Sequence, residues 1–401
     1  DNPFNRSQAG HLGTKLENFD INKKSFSVME ILWEWQPWVQ FYMTAIPLFV
    51  FGLNEFMLRF VFALFGVLTV FLLYKFVIKL TANKNLAIIS TLLLALYTPF
   101  YLYSRQIRYY AVASFLVLCI LYSYLKIINS EKKGLMFFIV SNILLFHTFY
   151  MSFFSIYFTI IIHFLLFKFN KKLFWQFIKA STIIFIFTFP WFVFANLGGK
   201  SYGIDFFHAV FGSLHTLFYL LIYTFPLIFC LFIPNILLKR KNGKLALDAN
   251  YSLIILLIII SVAVNTFGPW YLPAFRYLAY LFPLFMILSA KVILKIRKYN
   301  YILGVIILLM FIFSNFLSVL PLKLFEPLVL NRMEKDSEPY LFIKDNLKIK
   351  FHFSEYLYEI THNYKSPNSY IIEYLNKNGG EDDVFMTNAD YKTIVLNTNM
   401  I

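Results

Sequence analysis

Apolar residues fill most of the chain in long runs that short polar connections separate. A helix that crosses a bilayer needs about 20 mostly apolar residues, so the pattern predicts a polytopic all-α membrane protein of about ten spans. One run, 38–51, is too short to cross comfortably and carries Pro37 and Pro47 at its ends, which predicts an interfacial or re-entrant helix. The predicted spans are 55–80, 86–103, 109–128, 135–150, 151–167, 174–196, 213–238, 250–268, 275–294 and 300–320.

Polar flanks lie on both sides of this apolar region. The pattern divides the chain into a first extracytoplasmic loop (1–37), a transmembrane domain (38–320) and an extracytoplasmic C-terminal region (321–401). In the last of these, YIIEYLNKN predicts an amphipathic helix, and VFMTN and TIVL predict short strands after the acidic loop GGEDD. We expect the opening of a small α/β lobe that is truncated.

Composition and charge support the membrane assignment. The chain is 59% hydrophobic and only 14% charged, whereas globular domains are about 45–50% apolar and about 25% charged. The net charge of +15 fits nucleic acid, anionic lipid or an anionic substrate, and its distribution decides among them. If alternate connections face opposite sides, eighteen Lys and Arg residues of 38–320 lie on one side and five on the other.

Cytoplasmic connections collect Lys and Arg, so the richer side is predicted to be cytoplasmic and both flanks to face outward. The charge is then a topology signal, and no nucleic-acid partner is needed to explain it. Because an outward N-terminus needs a preceding span, we expect one upstream of Asp1. The prediction is a multi-pass protein of the cell (plasma or inner) membrane.

The five outward cations depart from this rule and are the candidates for function. Arg is a planar, multidentate partner for phosphate, and four of the five are Arg. Arg105 and Arg108 stand three apart at a predicted helix start, where they would share one face and benefit from the helix dipole. Snorkelling to lipid headgroups explains such residues equally well. The five are Arg59, Arg105, Arg108, Lys200 and Arg276.

Other chemistry is sparse. A carboxylate on the outer side would serve as a general base, although most acidic residues there fit solvated loops. His147, His208 and His215 lack zinc-site spacing, and hydrogen bonding suits them better than metal. Cys119 and Cys230 lie in apolar runs and favour packing. The sequence indicates no cofactor; a divalent metal is compatible with it but not indicated.

Four passages, in order, resemble the membrane glycosyltransferases of the GT-C fold, the relatives of dolichyl-phosphate-mannose protein mannosyltransferases and bacterial aminoarabinose transferases. The first is the Pro-led QPWVQFYMTAIPLFVFG with the helix after it. The second and most specific is YTPFYLYSRQIRYYAVASFLVL. The third is FRYLAYLFPLFMILSAKV, and the last is the tail around IIEYLNKNGGEDDVFMTN. Together they cover most of the chain.

This resemblance implies transfer of a sugar from a polyprenyl-phosphate donor to an extracytoplasmic acceptor, by single displacement with inversion. The family's base is an Asp that opens the first outer loop within an acidic pair. Asp1 stands at that position, but its neighbour is Asn2, so Asp20 is the reserve candidate.

Cations and aromatic residues on the outer side complete the implied site. The donor phosphate is assigned to Arg105, Arg108, Arg276 and Arg59, and contacts to sugar or acceptor to Tyr109, Tyr110, His147, Tyr277 and Trp38. The apolar surfaces of the predicted spans would hold the prenyl chain and contact membrane lipid.

Two alternatives remain open. A transporter or flippase for a lipid-linked sugar predicts polar residues at mid-depth and broken helices in paired halves, and the sequence pattern shows neither. A catalytically inactive scaffold is compatible with Asn2 and with Gln36, which stands where the family often has a basic residue or His.

Overall fold

The computed structural model describes residues 37–52, 54–131, 133–197, 206–241, 244–267, 275–324, 326–327, 344, 347–362 and 367–379. Helices dominate these ranges, and the strands β1 (Leu238–Lys241) and β2 (Lys244–Leu247) form an antiparallel hairpin. The helices are α1 (Val39–Phe51), α2 (Glu55–Thr81), α3 (Lys84–Leu96), α4 (Thr98–Ser104), α5 (Tyr110–Ile128), α6 (Gly134–Phe146), α7 (Tyr150–His163), α8 (Lys171–Phe194), α9 (Phe206–Tyr223), α10 (Leu227–Cys230), α11 (Ile233–Leu237), α12 (Ala249–Phe267), α13 (Phe282–Tyr299), α14 (Tyr301–Phe313), α15 (Phe316–Lys323), α16 (His352–Thr361) and α17 (Pro367–Asn378). A π-helical turn, Phe164–Lys168, continues α7, and a 3₁₀ helix, Phe275–Leu281, precedes α13.

Asparagine side chains begin several of the long helices. Asn54, Asn83, Asn170 and Asn300 each accept a hydrogen bond from a backbone N–H in the first turn of the helix that follows. An Asn at this position satisfies a donor that would otherwise lack a partner. The sequence therefore sets where α2, α3, α8 and α14 start.

The predicted spans are confirmed in kind but not in number. In the described ranges, six helical segments are long and apolar enough to cross a membrane, or up to eight if two bent pairs each count as one span. The short run at 38–51 forms α1 as predicted. The fold class predicted from the sequence, a multi-spanning α-helical protein, is confirmed; the strands predicted in the tail lie outside the described residues.

Three predicted spans are broken, contrary to the sequence pattern. A bend of 63° separates α3 from α4, and one of 93° separates α14 from α15. The run predicted at 213–238 ends α9 at Tyr223 and continues as α10 and α11. Proline explains part of this, because Pro99 and Pro226 lie at the breaks and proline removes a backbone donor. Tertiary contacts hold the breaks, since the Tyr97 hydroxyl donates to the Tyr223 carbonyl at 2.6 Å.

The core lies along α5 and α13, which are the most enclosed spans, whereas α2 and α8 expose most of their surface. Helix α5 packs against α2 and α6, α13 packs against α3 and α14, and α7 packs against α12. Lipid-facing positions of a membrane helix are as apolar as buried ones, so the exposed faces of α2 and α8 fit a periphery in contact with hydrocarbon.

Connections rich in lysine meet at one end of this bundle. Lys79, at the end of α2, pairs with Glu131 in the connection after α5. Asn250, at the start of α12, donates from Nδ2 to the Leu80 carbonyl at 2.7 Å. We call this the lysine-rich end. The opposite end holds the α4–α5 turn and the start of the 3₁₀ helix, and we call it the arginine end.

Candidate functional site

Arg276 is the cation around which the arginine end is organised. Its Nη2 donates to the Tyr277 hydroxyl at 3.3 Å, and its guanidinium lies 5.0 Å from the centre of the Tyr277 ring. Its Nε is buried and has no hydrogen-bond partner among the described residues. A buried donor without a partner carries a free-energy cost that a bound acceptor relieves. Arg276 therefore has an N–H available for an anion.

Four tyrosines, Tyr103, Tyr109, Tyr110 and Tyr277, surround this arginine, and we call them the tyrosine cluster. The ring centres of Tyr103 and Tyr110 are 5.1 Å apart, and those of Tyr109 and Tyr110 are 4.7 Å apart. Phe149 links the cluster, since it stacks on Tyr109 at 4.5 Å and on Tyr277 at 6.2 Å. The 3₁₀ helix thus faces the start of α5 through aromatic contacts.

Tyr109, which lies just before α5, retains its proton at neutral pH. Burial raises the pKa of this phenol well above its ordinary value, and Tyr110 and Tyr277 raise it further. The positive charges of Arg108 and Arg276 act in the opposite direction. The hydroxyl is therefore a neutral donor beside a guanidinium, a combination that suits a phosphate oxygen.

Arg105 and Arg108 do not share a helix face, contrary to the prediction. Helix α4 ends at Ser104 and α5 begins at Tyr110, so both arginines lie in the turn between them. Arg108 is exposed and acts electrostatically on Tyr109. The Arg105 guanidinium instead lies 5.4 Å from the ring centre of Tyr356 in α16. The structure therefore brings Arg108 to the tyrosine cluster and Arg105 to the C-terminal region.

Trp38 and His147 lie against each other. Their ring centres are 4.9 Å apart, and the Val39 N–H donates to the His147 carbonyl at 3.1 Å. The imidazole Nε2 lies 3.3 Å from the Phe187 carbonyl, to which it donates. His147 Nδ1 is buried and has no partner among the described residues. These contacts join the start of α1 to α6 and α8, next to the aromatic group that contains Phe149.

The remaining candidates are Arg59 and the two candidate bases. Arg59 is exposed on α2 between Phe56 and Phe60, whose rings stack at 6.1 Å. This position fits the snorkelling alternative. The candidate bases Asp1 and Asp20 lie outside the described residues.

Sequence reasoning missed two members of this site. Tyr103 lies within the second passage that carries the resemblance, but its position in the site depends on the break between α3 and α4. Phe149 lies in a predicted span and looks like an ordinary core residue. Both contact partners that are distant in sequence, and the excess of aromatic residues around the arginines was the available signal.

Within the described part of the chain, no group of three or more His, Cys, Asp or Glu side chains lies in positions that would hold a metal ion. Cys119 and Cys230 are free and half-buried. The chemistry of this end is that of guanidinium and phenol groups.

Comparison with known proteins agrees with this architecture. The family model described as dolichyl-phosphate-mannose-protein mannosyltransferase matches residues 35–194. The apo crystal structure of ArnT from Cupriavidus metallidurans has a TM-score of 0.51 at 13% identity, over 82% of this chain and 61% of that one. ArnT bound to undecaprenyl phosphate has a TM-score of 0.51 at 12% identity, over 86% and 63%. No curated protein sequence matches the chain.

These likenesses confirm the resemblance inferred from the sequence and the GT-C fold class. The chain spans less than two thirds of the length of either ArnT structure. The matched segment 35–194 contains α1 to α8, including the α4–α5 turn and all of the tyrosine cluster except Tyr277.

Proposed function

We propose, from this fold, that the protein is a membrane glycosyltransferase. It transfers a sugar from a polyprenyl-phosphate donor to an extracytoplasmic acceptor, which is a protein, a lipid or a glycan. The observation that carries the proposal is Arg276, whose buried Nε has no partner among the described residues and which lies within the tyrosine cluster. A cation with directed donors at a membrane end suits a lipid phosphate.

Arg276 binds the donor phosphate, and Arg108 adds charge from the exposed side. The acceptor hydroxyl attacks the anomeric carbon and gives its proton to a carboxylate, while the bond to the phosphate oxygen breaks. The bonding electrons pass to the leaving polyprenyl phosphate, whose new charge Arg276 stabilises. The carboxylate is Asp1, with Asp20 as the reserve.

Aromatic residues take the contacts to the sugar and the acceptor. Tyr109, Tyr110 and Tyr277 border Arg276 and present both ring faces and hydroxyl groups. Trp38 and His147, which pack against each other at the start of α1, are the further contacts in this proposal. The prenyl chain lies along the apolar exterior of the bundle. The side with Arg276 is extracytoplasmic by the distribution of lysines.

The direct test is sugar transfer by the purified full-length protein. It is incubated with radiolabelled polyprenyl-phosphate sugars and membrane-derived acceptors, and label on the acceptor is counted. We expect label transfer that Asp1→Asn and Arg108→Ala reduce strongly while membrane insertion is unchanged. If both variants transfer label at the wild-type rate, this assignment of the site is wrong.

Transport of a lipid-linked sugar is the second candidate, and the broken spans favour it. Breaks at Tyr97, Thr224 and Ser314 border a cavity of about 40 Å³ that Asn315 and His352 also line. Discontinuous helices form substrate sites in transporters. Translocation of a labelled lipid-linked sugar across proteoliposomes without label transfer would support this candidate instead.

A further inference from the structure

A cavity of about 250 Å³ lies at the lysine-rich end, away from the site described above. The ends of α2 and α5, the π-helical turn after α7 and the start of α12 form its walls. A water molecule takes about 30 Å³ of liquid volume, so the space admits several waters or a phosphate-sized anion. Its polar lining is Lys79, Asn129, His163, Lys168 and Asn250.

Lys168 is the notable cation of this lining. It is half-buried, and it forms no ion pair within the part of the chain that the structure describes. It ends the π-helical turn Phe164–Lys168. A π-helical turn closes i→i+5 hydrogen bonds and so changes the direction of the residues after it, and such turns are frequent at functional sites. Local backbone geometry thus brings Lys168 to the cavity.

Two of the other polar groups are already committed to the protein. His163 Nε2 lies 2.8 Å from the Ala249 carbonyl, and Nδ1 lies 2.7 Å from the Tyr124 hydroxyl. Because a carbonyl only accepts, Nε2 donates to it, and both ring nitrogens are therefore engaged within the protein. Asn250 donates to the Leu80 carbonyl. These side chains form rigid walls.

Lys168 adds a net positive charge to the lining of this cavity. The carboxyl ends of α2 and α5 favour nearby cations, and Lys79 meets that requirement at α2 while pairing with Glu131. Lys168 then contributes a positive charge that no carboxylate of the described residues pairs with. The exposed amide of Asn129 lies at the same cavity and supplies a neutral donor.

We infer that this cavity binds a phosphate-bearing anion, with Lys168 as its principal ligand. The lysine distribution places the cavity on the cytoplasmic side. Basic pockets between transmembrane helices on that side hold anionic lipid headgroups. The shared chemistry is a phosphate group, from a lipid headgroup or from free phosphate. This site does not depend on the proposed sugar transfer.

The experiment measures the thermal unfolding midpoint of the full-length protein with two probes. Phosphatidylglycerol is titrated into phosphatidylcholine nanodiscs, and inorganic phosphate is titrated into detergent micelles. Lys168→Gln is compared with Lys172→Gln, whose lysine is exposed on α8 at the same end and does not line the cavity. A hydrogen bond to a charged group is worth more than about 1.4 kcal/mol, so Lys168→Gln is expected to weaken binding about tenfold or more.

Each outcome decides the inference. A rise in the midpoint with phosphatidylglycerol that Lys172→Gln keeps and Lys168→Gln loses identifies a lipid headgroup, and the same pattern with inorganic phosphate identifies free phosphate. Equal responses in the two variants, or no response to either probe, overturn the site. If Lys168→Gln does not fold, Lys168→Met replaces it, and retention of phosphatidylglycerol by native mass spectrometry gives the same comparison.

Discussion

Substitution of Arg276 is the most direct probe of the candidate site. Its guanidinium offers a phosphate the unpaired Nε and an adjacent amino group, the geometry of a bidentate contact. Each hydrogen bond to a charged group contributes about 1.5–3 kcal/mol. Loss of two therefore costs about 3–6 kcal/mol, or roughly 10²–10⁴ in kcat/KM for Arg276→Ala. Arg276→Lys keeps the charge but loses the planar fork, and a loss of about 10–100-fold is expected.

The assay is the transfer of radiolabelled sugar from a polyprenyl-phosphate donor by purified protein, with kcat/KM as the readout. Arg59→Ala is the matched control, because Arg59 is an exposed arginine on α2. We expect it to change kcat/KM by less than about threefold, as the loss of an exposed charge does. The thermal unfolding midpoint of each variant separates lost binding from lost folding, since Arg276 also contacts the Tyr277 ring.

Two results would contradict this reasoning. One is an Arg276→Ala enzyme whose kcat/KM stays within about fivefold of wild type, because removal of a phosphate ligand costs more than that. The other is an Arg59→Ala enzyme that loses as much activity as Arg276→Ala. The second result would move the phosphate site to α2.

Three further predictions concern the fold. A Cβ at Gly304 would lie 2.6 Å from the Arg297 Cα, so Gly304→Ala is expected to lower the free energy of unfolding by about 1–3 kcal/mol, measured in denaturant. The Asn315 side chain donates to the Lys348 carbonyl at 3.0 Å and accepts from the Lys350 N–H at 2.7 Å; Asn315→Ala is expected to raise protease cleavage of α16 about tenfold, for the loss of about 1–2 kcal/mol. Burial lowers the pKa of His352, with a further contribution from Lys350 and against the opposing effect of Glu355. The protection factors of the α16 amides, which correct for the pH dependence of intrinsic exchange, are therefore expected to fall as pH drops below about 6.5.

The sign of the His352 effect follows from linkage. The folded state binds the proton more weakly than the unfolded chain, so the stability of the folded contact is present above the unfolded pKa and is lost as pH falls through it. His352→Gln removes the titration and is the control. Each contact has a result that would refute it. For His352 it is a protection factor of α16 that does not change with pH in the wild type. For Gly304 it is an unfolding curve of Gly304→Ala that overlays wild type, and for Asn315 it is unchanged cleavage in Asn315→Ala.

The sequence predicted the elements of the fold through properties that need no tertiary information. The run at 38–51 forms the short helix α1, and its length alone indicated that it would not be a full span. The starts of α2, α3, α8 and α14 follow from Asn caps, which act within one turn. The class of the fold follows from the length and number of apolar runs.

Breaks within spans were not predictable in the same way. The residues around Tyr97 and Ser314 are apolar enough to continue a helix, yet each helix ends there. Tyr97 bonds to the Tyr223 carbonyl, and Asn315 bonds to Lys348 and Lys350. These partners lie far away in sequence, so a window of the chain that contains Pro99 still lacks the contacts that hold the break.

For the candidate site, too, some features follow from the sequence and others from tertiary contacts. The sequence by itself determined that arginines and tyrosines accumulate in connections where lysines do not. The side of the membrane that a connection faces depends on the charges in the chain, which can be read without tertiary structure. Only the tertiary structure decided that Arg276 lies among Tyr103, Tyr109 and Tyr110 while Arg105 turns to the C-terminal region. Spacing along a helix could not show this, because α4 ends at Ser104 and the packing of the 3₁₀ helix on α5 selects which cation the tyrosines surround.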